Sequence, residues 1–402
     1  MSHPLRVLLL ENIHPVATSM FEAEGLEVET AKGALTGAAL VERLRDVDVL
    51  GIRSKTHVTA EVLEGAPGLL AVGCFCIGTN QVDLVSANAR GVPVFNAPFS
   101  NTRSVAELIL AEAVMLARQL GDRVREMHQG VWKKVATSCY ELRGKTLGIV
   151  GYGHIGSQLG VLAEGFGMRV VFYDIATKLP MGNNRPCPSL GELLREADFV
   201  TLHVPETPQT KLMIGAPELA AMKRGAFLLN ASRGSVVDIG ALAAALREGQ
   251  VGGAAVDVFP EEPEGNGPGF VTELQSLPNV VLTPHIGGST AEAQEAIGRE
   301  VATSLLRFLG AGTTTPSVNF PRVEMPVSPG AHRILNVHRN VPGVMSAITR
   351  IVSEEKANIR GQMLATDPNI GFLVMDLDQE VSRAVTDAIR RLPTDIRTRI
   401  VY

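Results

Sequence analysis

Short apolar runs recur along the chain at 6–10, 26–30, 47–53, 69–74 and 92–96. Segments such as 15–25 and 38–44 lie between them and keep their apolar residues at helical spacing. Strand alternating with helix predicts a parallel sheet with helices on both faces. The beat resumes with runs at 145–150, 168–173, 199–204, 226–230, 253–258 and 280–283, which predict a second sheet of the same kind. Two longer helical stretches read as crossings between the sheets. One opens at Ser104 with the capping-box spacing to Glu107 and runs to about 119; the other covers 290–309. The glycine, threonine and proline of 310–330 predict an extended linker with few packing residues. Beyond it come a strand at 332–338, a helix at 341–356, a hairpin of 359–366 and 371–378, a helix to about 391 and a strand at 396–402. That order, β-α-β-β-α-β, is the ferredoxin-like unit. The expected fold class is therefore α/β: two doubly wound parallel-sheet domains plus a small ferredoxin-like domain. The domains would be 1–100 with 286–318, then 101–285, a linker at 319–330, and 331–402.

Composition narrows the class of protein. With 45% hydrophobic and 20% charged residues among 402, the chain has the balance of a soluble globular protein and no disordered tail. It offers no long uninterrupted apolar window and no basic leader running into one, which reads as cytoplasmic with no membrane partner. A net charge of -5 without a basic stripe argues against nucleic acid. Cys74, Cys76, Cys139 and Cys187 lack metal-ligand spacing, so no metal is expected.

Chemistry enters at Gly151-Tyr152-Gly153-His154-Ile155-Gly156, which joins an apolar run to a helical stretch. In that strand–turn–helix setting the three glycines allow a sharp turn, approach of a pyrophosphate and close helix–strand packing. The helix N-terminus then meets the phosphates. Asp174 closes the next run about 20 residues on, where an acid binds ribose hydroxyls and repels a 2′-phosphate, so the coenzyme is expected to be NAD. Ligands of such sheets bind beyond the carboxyl ends of the strands, and three reactive side chains fall there. Arg233 follows 226–230, Glu261 and Glu262 follow 253–258, and His285 follows 280–283. A histidine suits removal of a hydroxyl proton near neutral pH, a carboxylate can orient and charge-stabilise it, and an arginine can hold a substrate carboxylate with paired hydrogen bonds. Either glutamate can serve by position. Arg53, at the end of the run 47–53 in the first domain, is a second cationic group for an anionic substrate.

These motifs resemble the D-isomer-specific 2-hydroxyacid dehydrogenases. The likeness rests on the glycine turn, Asn230-Ala231-Ser232-Arg233-Gly234, Asp257-Val258-Phe259 with Glu262-Pro263, and Thr283-Pro284-His285-Ile286-Gly287-Gly288. Gly73 to Asp83, Phe95 to Glu107 and the small terminal domain resemble the short, bacterial and fungal branch that oxidises 3-phospho-D-glycerate to 3-phosphohydroxypyruvate, the first step of serine synthesis. The resemblance implies Arg233, Glu262 and His285 as the catalytic set. It also implies Asp174 on the adenosine ribose and His203, Val204 and Pro205 along the coenzyme. Asp257 would lie near the nicotinamide amide, with Ala231, Ser232, Gly287 and Gly288 completing the coenzyme contacts. Ser54 and Asn101 would join Arg53 on the substrate, with Arg103 on the same cleft. The terminal unit resembles an ACT domain, in which the positions of His338, Asn340 and Asn358 bind L-serine at a two-subunit interface. Val341 departs from relatives that carry arginine there. A homo-oligomer, in particular a tetramer, is implied. Trp132, Lys133 and Lys134 fit either a subunit contact or a solvated surface. The competing readings are a glyoxylate or hydroxypyruvate reductase and an NAD-sensing scaffold. Arg53 with the terminal domain speaks against the first, and the complete Arg, Glu and His set against the second.

Overall fold

The computed structural model describes residues 4–263, 265–378 and 382–401. The chain divides into two compact units, Met1–Ser100 with Gln294–Tyr402, and Asn101–Ala293.

In the first unit, β1 (Arg6–Leu9), β2 (Glu27–Thr30), β3 (Val49–Ile52), β4 (Ala71–Cys74) and β5 (Val94–Phe95) form a parallel sheet in the order β2-β1-β3-β4-β5. Every residue of β3, β4 and β5 is buried, which is why these segments read as continuous apolar runs. Helices enter on local caps: Thr59 Oγ1 accepts from Val62 N, and Asp83 Oδ1 accepts from Ser86 N.

The second unit holds β6 (Thr146–Val150), β7 (Arg169–Tyr173), β8 (Arg185–Pro186), β9 (Phe199–Leu202), β10 (Ala226–Asn230), β11 (Val251–Val256) and β12 (Val280–Leu282). Their order, β12-β11-β10-β9-β6-β7-β8, reverses direction between β6 and β9, the switch point at which a doubly wound sheet opens a crevice. The helix Thr102–Ala117 covers one face with Val105, Ile109 and Leu116. It starts at Thr102 with Asn101 as its cap residue, so the Ser104–Glu107 spacing is not a capping box. Ser104 Oγ instead lies 2.8 Å from Thr290 Oγ1, and Glu107 pairs with Arg103. A long-range partner has displaced the local one.

The terminal segment forms β13 (His332–Arg339), β14 (Ile359–Thr366), β15 (Ile370–Leu377) and β16 (Asp395–Val401), antiparallel in the order β14-β15-β13-β16. This is the ferredoxin-like sheet; Tyr402, to which the last strand was expected to run, lies outside the described residues. Its two helices, Val344–Glu354 and Ser382–Ile389, cover the face bearing Ile334, Leu373, Met375 and Leu377. The opposite face, with Leu335, Val337, Phe372 and Val374, packs into the core of the first unit beside Phe95, Leu305, Phe308 and Phe320. Arg399 donates to the carbonyls of Leu309 and Phe308, and its guanidinium lies 4.9 Å from the centre of the Phe308 ring. The expectation of a poorly packed linker is corrected here. Phe320 and Val323 are buried, Thr314 Oγ1 accepts from Val323 N at 2.8 Å, and the Asn319 side chain accepts from Val94 N and donates to Val92 O. Side-chain hydrogen bonds have taken the place of a ladder in a stretch whose prolines forbid one.

Candidate active site

The glycine turn stands at the end of β6. Gly151 has φ +91°, and a Cβ there would lie 2.4 Å from the His203 carbonyl oxygen, so the turn and the chain leaving β9 pass each other only because the side chain is absent. A Cβ on Gly156 would lie 2.3 Å from the Gly151 carbonyl oxygen, which fixes the close entry of the helix His154–Gly165. Gly153 is the cap residue of that helix, no side chain caps it, and a Cβ at Gly153 would meet nothing within 4 Å. His154 and Ile155 form the first turn of that helix. A helix that begins on a glycine, with no capping side chain from that residue, suits an anion at its N-terminus. Asp174, just past β7, accepts from Tyr152 N at 2.9 Å and from Ala176 N at 2.9 Å, which ties the acid to the same turn. Left-handed glycine, uncapped helix and tethered acid together fit a dinucleotide. Past β9, His203 Nε2 lies 3.0 Å from Thr201 Oγ1, and burial lowers its pKa to about 4, so this imidazole stays neutral. Val204 follows, and the Pro205 carbonyl accepts from Thr210 Oγ1.

Three loops beyond β10, β11 and β12 carry the reactive groups. Asn230 staples the first of them: its Oδ1 accepts from Ser232 N and Oγ, and its Nδ2 donates to Arg233 O. Ala231 and Arg233 flank that staple, and Arg233 donates to Ser232 O. Gly234 passes so close to the second loop that a Cβ would lie 1.9 Å from the Phe259 carbonyl carbon. That contact brings Arg233 beside the carboxylate of Glu262, which accepts from Phe259 N at 3.1 Å through Oε1 and pairs through Oε2 with His285 Nδ1 at 2.8 Å. Position alone left Glu261 and Glu262 open; the imidazole bonds Glu262. His285 has φ 52° and stands at the head of a loop hung on Asp257. The Asp257 carboxylate, 1% exposed, accepts from Thr283 Oγ1 at 2.6 Å and from Ile286 N and Gly287 N, each at 2.8 Å. Gly288 follows, beside the Asn101 side chain.

The electrostatics follow from these contacts. The hydrogen bond to Glu262 raises the His285 pKa, against the lowering by burial and by the Arg233 charge. Burial works to raise Glu262, but the bonds from His285 and Phe259 N and the charge of Arg233 hold it below the usual carboxylate range. The ring nitrogen that faces away from Glu262 is thus attached to a strengthened base.

One acid in this region escaped the sequence reading. Glu112 is 2% exposed, neither of its carboxyl oxygens has a partner among the described residues, and burial, reinforced by the nearby Asp257 charge, raises its pKa to about 8. The signal was present, since Glu112 interrupts the apolar stripe of Val105, Ile109 and Leu116.

In the first unit, Arg53 follows β3 with its backbone N–H bonded to Glu11, and Ser54 next to it is exposed. Asn101, in the second unit, keeps a buried Oδ1 without a partner among the described residues. In the terminal sheet, His338 is 3% exposed, lies against Gly371 and pairs through Nδ1 with Asn336 Oδ1, while Asn340 Nδ2 donates to Asp367 O. Burial lowers the His338 pKa. Asn358 is at the other end of the sheet: His338 pairs with Gly371 on β15, whereas Ile359 pairs with Leu377, about 20 Å along that strand. One chain therefore does not gather the three effector residues. Val341 is exposed before the turn, and Trp132 is 81% exposed with Lys133 3.4 Å from Glu126.

Residues 110–287 match the model of the D-isomer specific 2-hydroxyacid dehydrogenase NAD binding domain, and residues 334–397 that of the AHAS small subunit-like ACT domain. A D-3-phosphoglycerate dehydrogenase of Dictyostelium discoideum is 54% identical over 99% of this chain and 97% of its own length. The chain belongs to the D-isomer-specific 2-hydroxyacid dehydrogenase family. A D-3-phosphoglycerate dehydrogenase of Escherichia coli K12 is 49% identical over 99% of this chain and 98% of its own. Among solved structures, the TT0316 protein of Thermus thermophilus is 38% identical with a TM-score of 0.69 over 76% of this chain and 97% of that one. A D-lactate dehydrogenase of Aquifex aeolicus complexed with NAD and lactic acid is 26% identical with a TM-score of 0.68, over 78% and 99%. The chain is thus an NAD-dependent oxidoreductase with a terminal ACT domain.

Proposed function

We propose that the protein oxidises 3-phospho-D-glycerate to 3-phosphohydroxypyruvate, the first step of L-serine biosynthesis, in the cytoplasm and as a homotetramer. The observation that carries this reading is the His285–Glu262 pair at 2.8 Å with Arg233 held one loop away, in a chain alike from end to end to D-3-phosphoglycerate dehydrogenases.

NAD, when bound, supplies the two-electron acceptor; the rest is done by side chains. His285 accepts the substrate hydroxyl proton on Nε2, because Nδ1 is engaged by Glu262. Glu262 fixes the tautomer and stabilises the imidazolium that forms. Arg233 holds the substrate carboxylate, and Asn101 adds a hydrogen bond from beside the His285 loop. Arg53 and Ser54 take the phosphate. Asp257 keeps the His285 loop in place. Gly151, Gly153 and Gly156 with His154 and Ile155 receive the pyrophosphate, Asp174 the adenosine ribose, and His203, Val204, Pro205, Ala231, Ser232, Gly287 and Gly288 line the remainder of the coenzyme.

Residues 1–100 with 286–318 act as the substrate domain, 101–285 as the coenzyme domain, 319–330 as the connection and 331–402 as the regulatory domain. L-serine binds at an interface between two terminal domains, with His338 and Asn340 from one copy and Asn358 from the other. The separation of Asn358 from His338 along the sheet supports a site that needs two copies.

The test is NADH oxidation with 3-phosphohydroxypyruvate, hydroxypyruvate and glyoxylate, each with and without L-serine. Preference for the phosphorylated acid is expected, with suppression by serine. Equal rates on all three acids would reduce the assignment to a general 2-oxo acid reductase, and indifference to serine would withdraw the effector.

A further inference from the structure

The loop that carries Arg53 is held by an acid from another strand. After β1 the chain turns through Glu11 and Asn12, both left-handed at φ 61° and 55°. Two successive non-glycine residues in that region store strain, which the surroundings must offset. The turn carries the Glu11 carboxylate across the end of β3, where Oε1 accepts from Arg53 N at 3.1 Å and Thr56 N at 2.9 Å, and Oε2 accepts from Lys55 N at 2.9 Å. Glu11 is 8% exposed and Thr56 is fully buried. Three bonds to an ionised acceptor are the strong kind, and they offset the strain of the left-handed turn.

The other side of the same residue is clamped as well. The Arg53 carbonyl accepts from Gln81 Nε2 at 2.6 Å and from Cys76 Sγ at 3.6 Å, and Gln81 is 4% exposed. Both hydrogen-bonding groups of the Arg53 backbone are therefore fixed by residues that follow β1 and β4, the two neighbours of β3 in the sheet. The carboxylate also takes up backbone N–H groups that a substrate anion would otherwise seek. Anion binding at this loop is thereby left to the side chains of half-exposed Arg53 and exposed Ser54.

We infer that Glu11, with Gln81 as its counterpart, is a positioning residue for recognition of the substrate phosphate: it holds the Arg53 loop in one geometry so that the guanidinium meets a phosphomonoester dianion without an ordering cost. This rests on the proposed assignment of the phosphate to Arg53. A preorganised donor gives up less freedom on binding, so the benefit appears in affinity for the phosphorylated substrate.

The full-length enzyme tests it, with 3-phosphohydroxypyruvate and hydroxypyruvate as probes. Glu11→Gln keeps the shape but turns an amide against a loop N–H. It is expected to raise KM for the phosphorylated acid about tenfold, the worth of one charge-assisted hydrogen bond, with the change falling on KM rather than kcat. KM for hydroxypyruvate, which has no phosphate, is expected to move less than about twofold. Arg53→Ala serves as reference, and on that background Glu11→Gln is expected to add nothing. If Arg53→Ala leaves KM for the phosphorylated acid in place, the Arg53 assignment itself falls. If Arg53→Ala raises it but Glu11→Gln does not, affects both acids alike, or adds its full effect on the Arg53→Ala background, the positioning role of Glu11 is overturned. Should Glu11→Gln fail to fold, Gln81→Ala, which removes the 2.6 Å bond to the Arg53 carbonyl and leaves the Glu11 carboxylate in place, decides by the same comparison.

Discussion

Two loops, one in each unit, are hung on a single buried carboxylate. Asp257 holds the His285 loop through Thr283 Oγ1, Ile286 N and Gly287 N, and Glu11 holds the Arg53 loop through Arg53 N, Lys55 N and Thr56 N. Each arrangement includes a left-handed residue, His285 in one and Glu11 in the other. They part company at the side chain being presented. His285 is given a second acid, Glu262, which raises its pKa, whereas the Glu11 loop fixes only the backbone of Arg53. A group that must gain and lose a proton needs its affinity for that proton set; a guanidinium that only binds needs to be in the right place.

The strongest way to break the comparison is His285→Ala. If the histidine is the proton carrier, kcat falls about a thousandfold while NADH binding, read by fluorescence titration, stays near its original value. Unchanged turnover with lost coenzyme affinity would instead make His285 a coenzyme ligand. Asp257→Asn asks whether the carboxylate supports the loop. An amide nitrogen would confront the Gly287 N–H, leaving a buried donor unpaired, and a loss of about 2–3 kcal/mol in urea unfolding is expected together with reduced kcat. A variant as stable as the parent would show that the loop stands without the acid.

Glu112 sharpens the contrast, because it gives Asp257 an acidic neighbour. Its pKa is raised from 4.5 to about 8, chiefly by burial and next by Asp257. As pH rises through 4.5 the unfolded chain releases this proton while the folded one keeps it, so folding grows less favourable until about pH 8, where both states ionise. Glu112→Gln removes that loss. The variant is expected to match the parent near pH 5 and to exceed it by on the order of 1–3 kcal/mol at pH 9, read as a higher melting temperature there. Parallel curves across the whole range would mean that Glu112 finds a partner that relieves it.

How much of this could be read from the chain depends on where each interaction is specified. The strand runs, the glycine turn and the strand-end positions of Arg233, Glu262 and His285 were legible, because period and local order carry them. The choice of Glu262 over Glu261 came only from the family resemblance and not from position, since it depends on how Gly234 lets one loop approach another. Glu11 was invisible for a related reason: its partners are more than forty residues away, and of Leu10-Glu11-Asn12 only Asn12 is of a type that favours the left-handed region. Ser104 misled in the opposite direction, offering a local capping pattern that Thr290 displaced. The proline-bearing stretch before β13 misled because low propensity was taken for low packing, whereas Thr314 and Asn319 satisfy its backbone from their side chains.

Glu262→Gln separates tuning from placement. With its amide oxygen turned to His285 Nδ1 the glutamine keeps that bond and gives up the one from Phe259 N, and it carries no charge, so the cause that raises the imidazole pKa is weakened and the pKa falls back toward 6.5. Reduction of the 2-oxo acid uses the protonated imidazole, and its activity therefore persists only below the His285 pKa; in the variant the alkaline limb moves to lower pH. Oxidation uses the neutral imidazole, so its acid limb moves to lower pH as well, although the base is weaker. Reduction at pH 8 is expected to drop about tenfold, and less at pH 6, with NADH affinity preserved. If both limbs stay where they were while kcat falls uniformly, Glu262 acts on His285 as Asp257 acts on its loop, by position alone, and the distinction between the two units disappears.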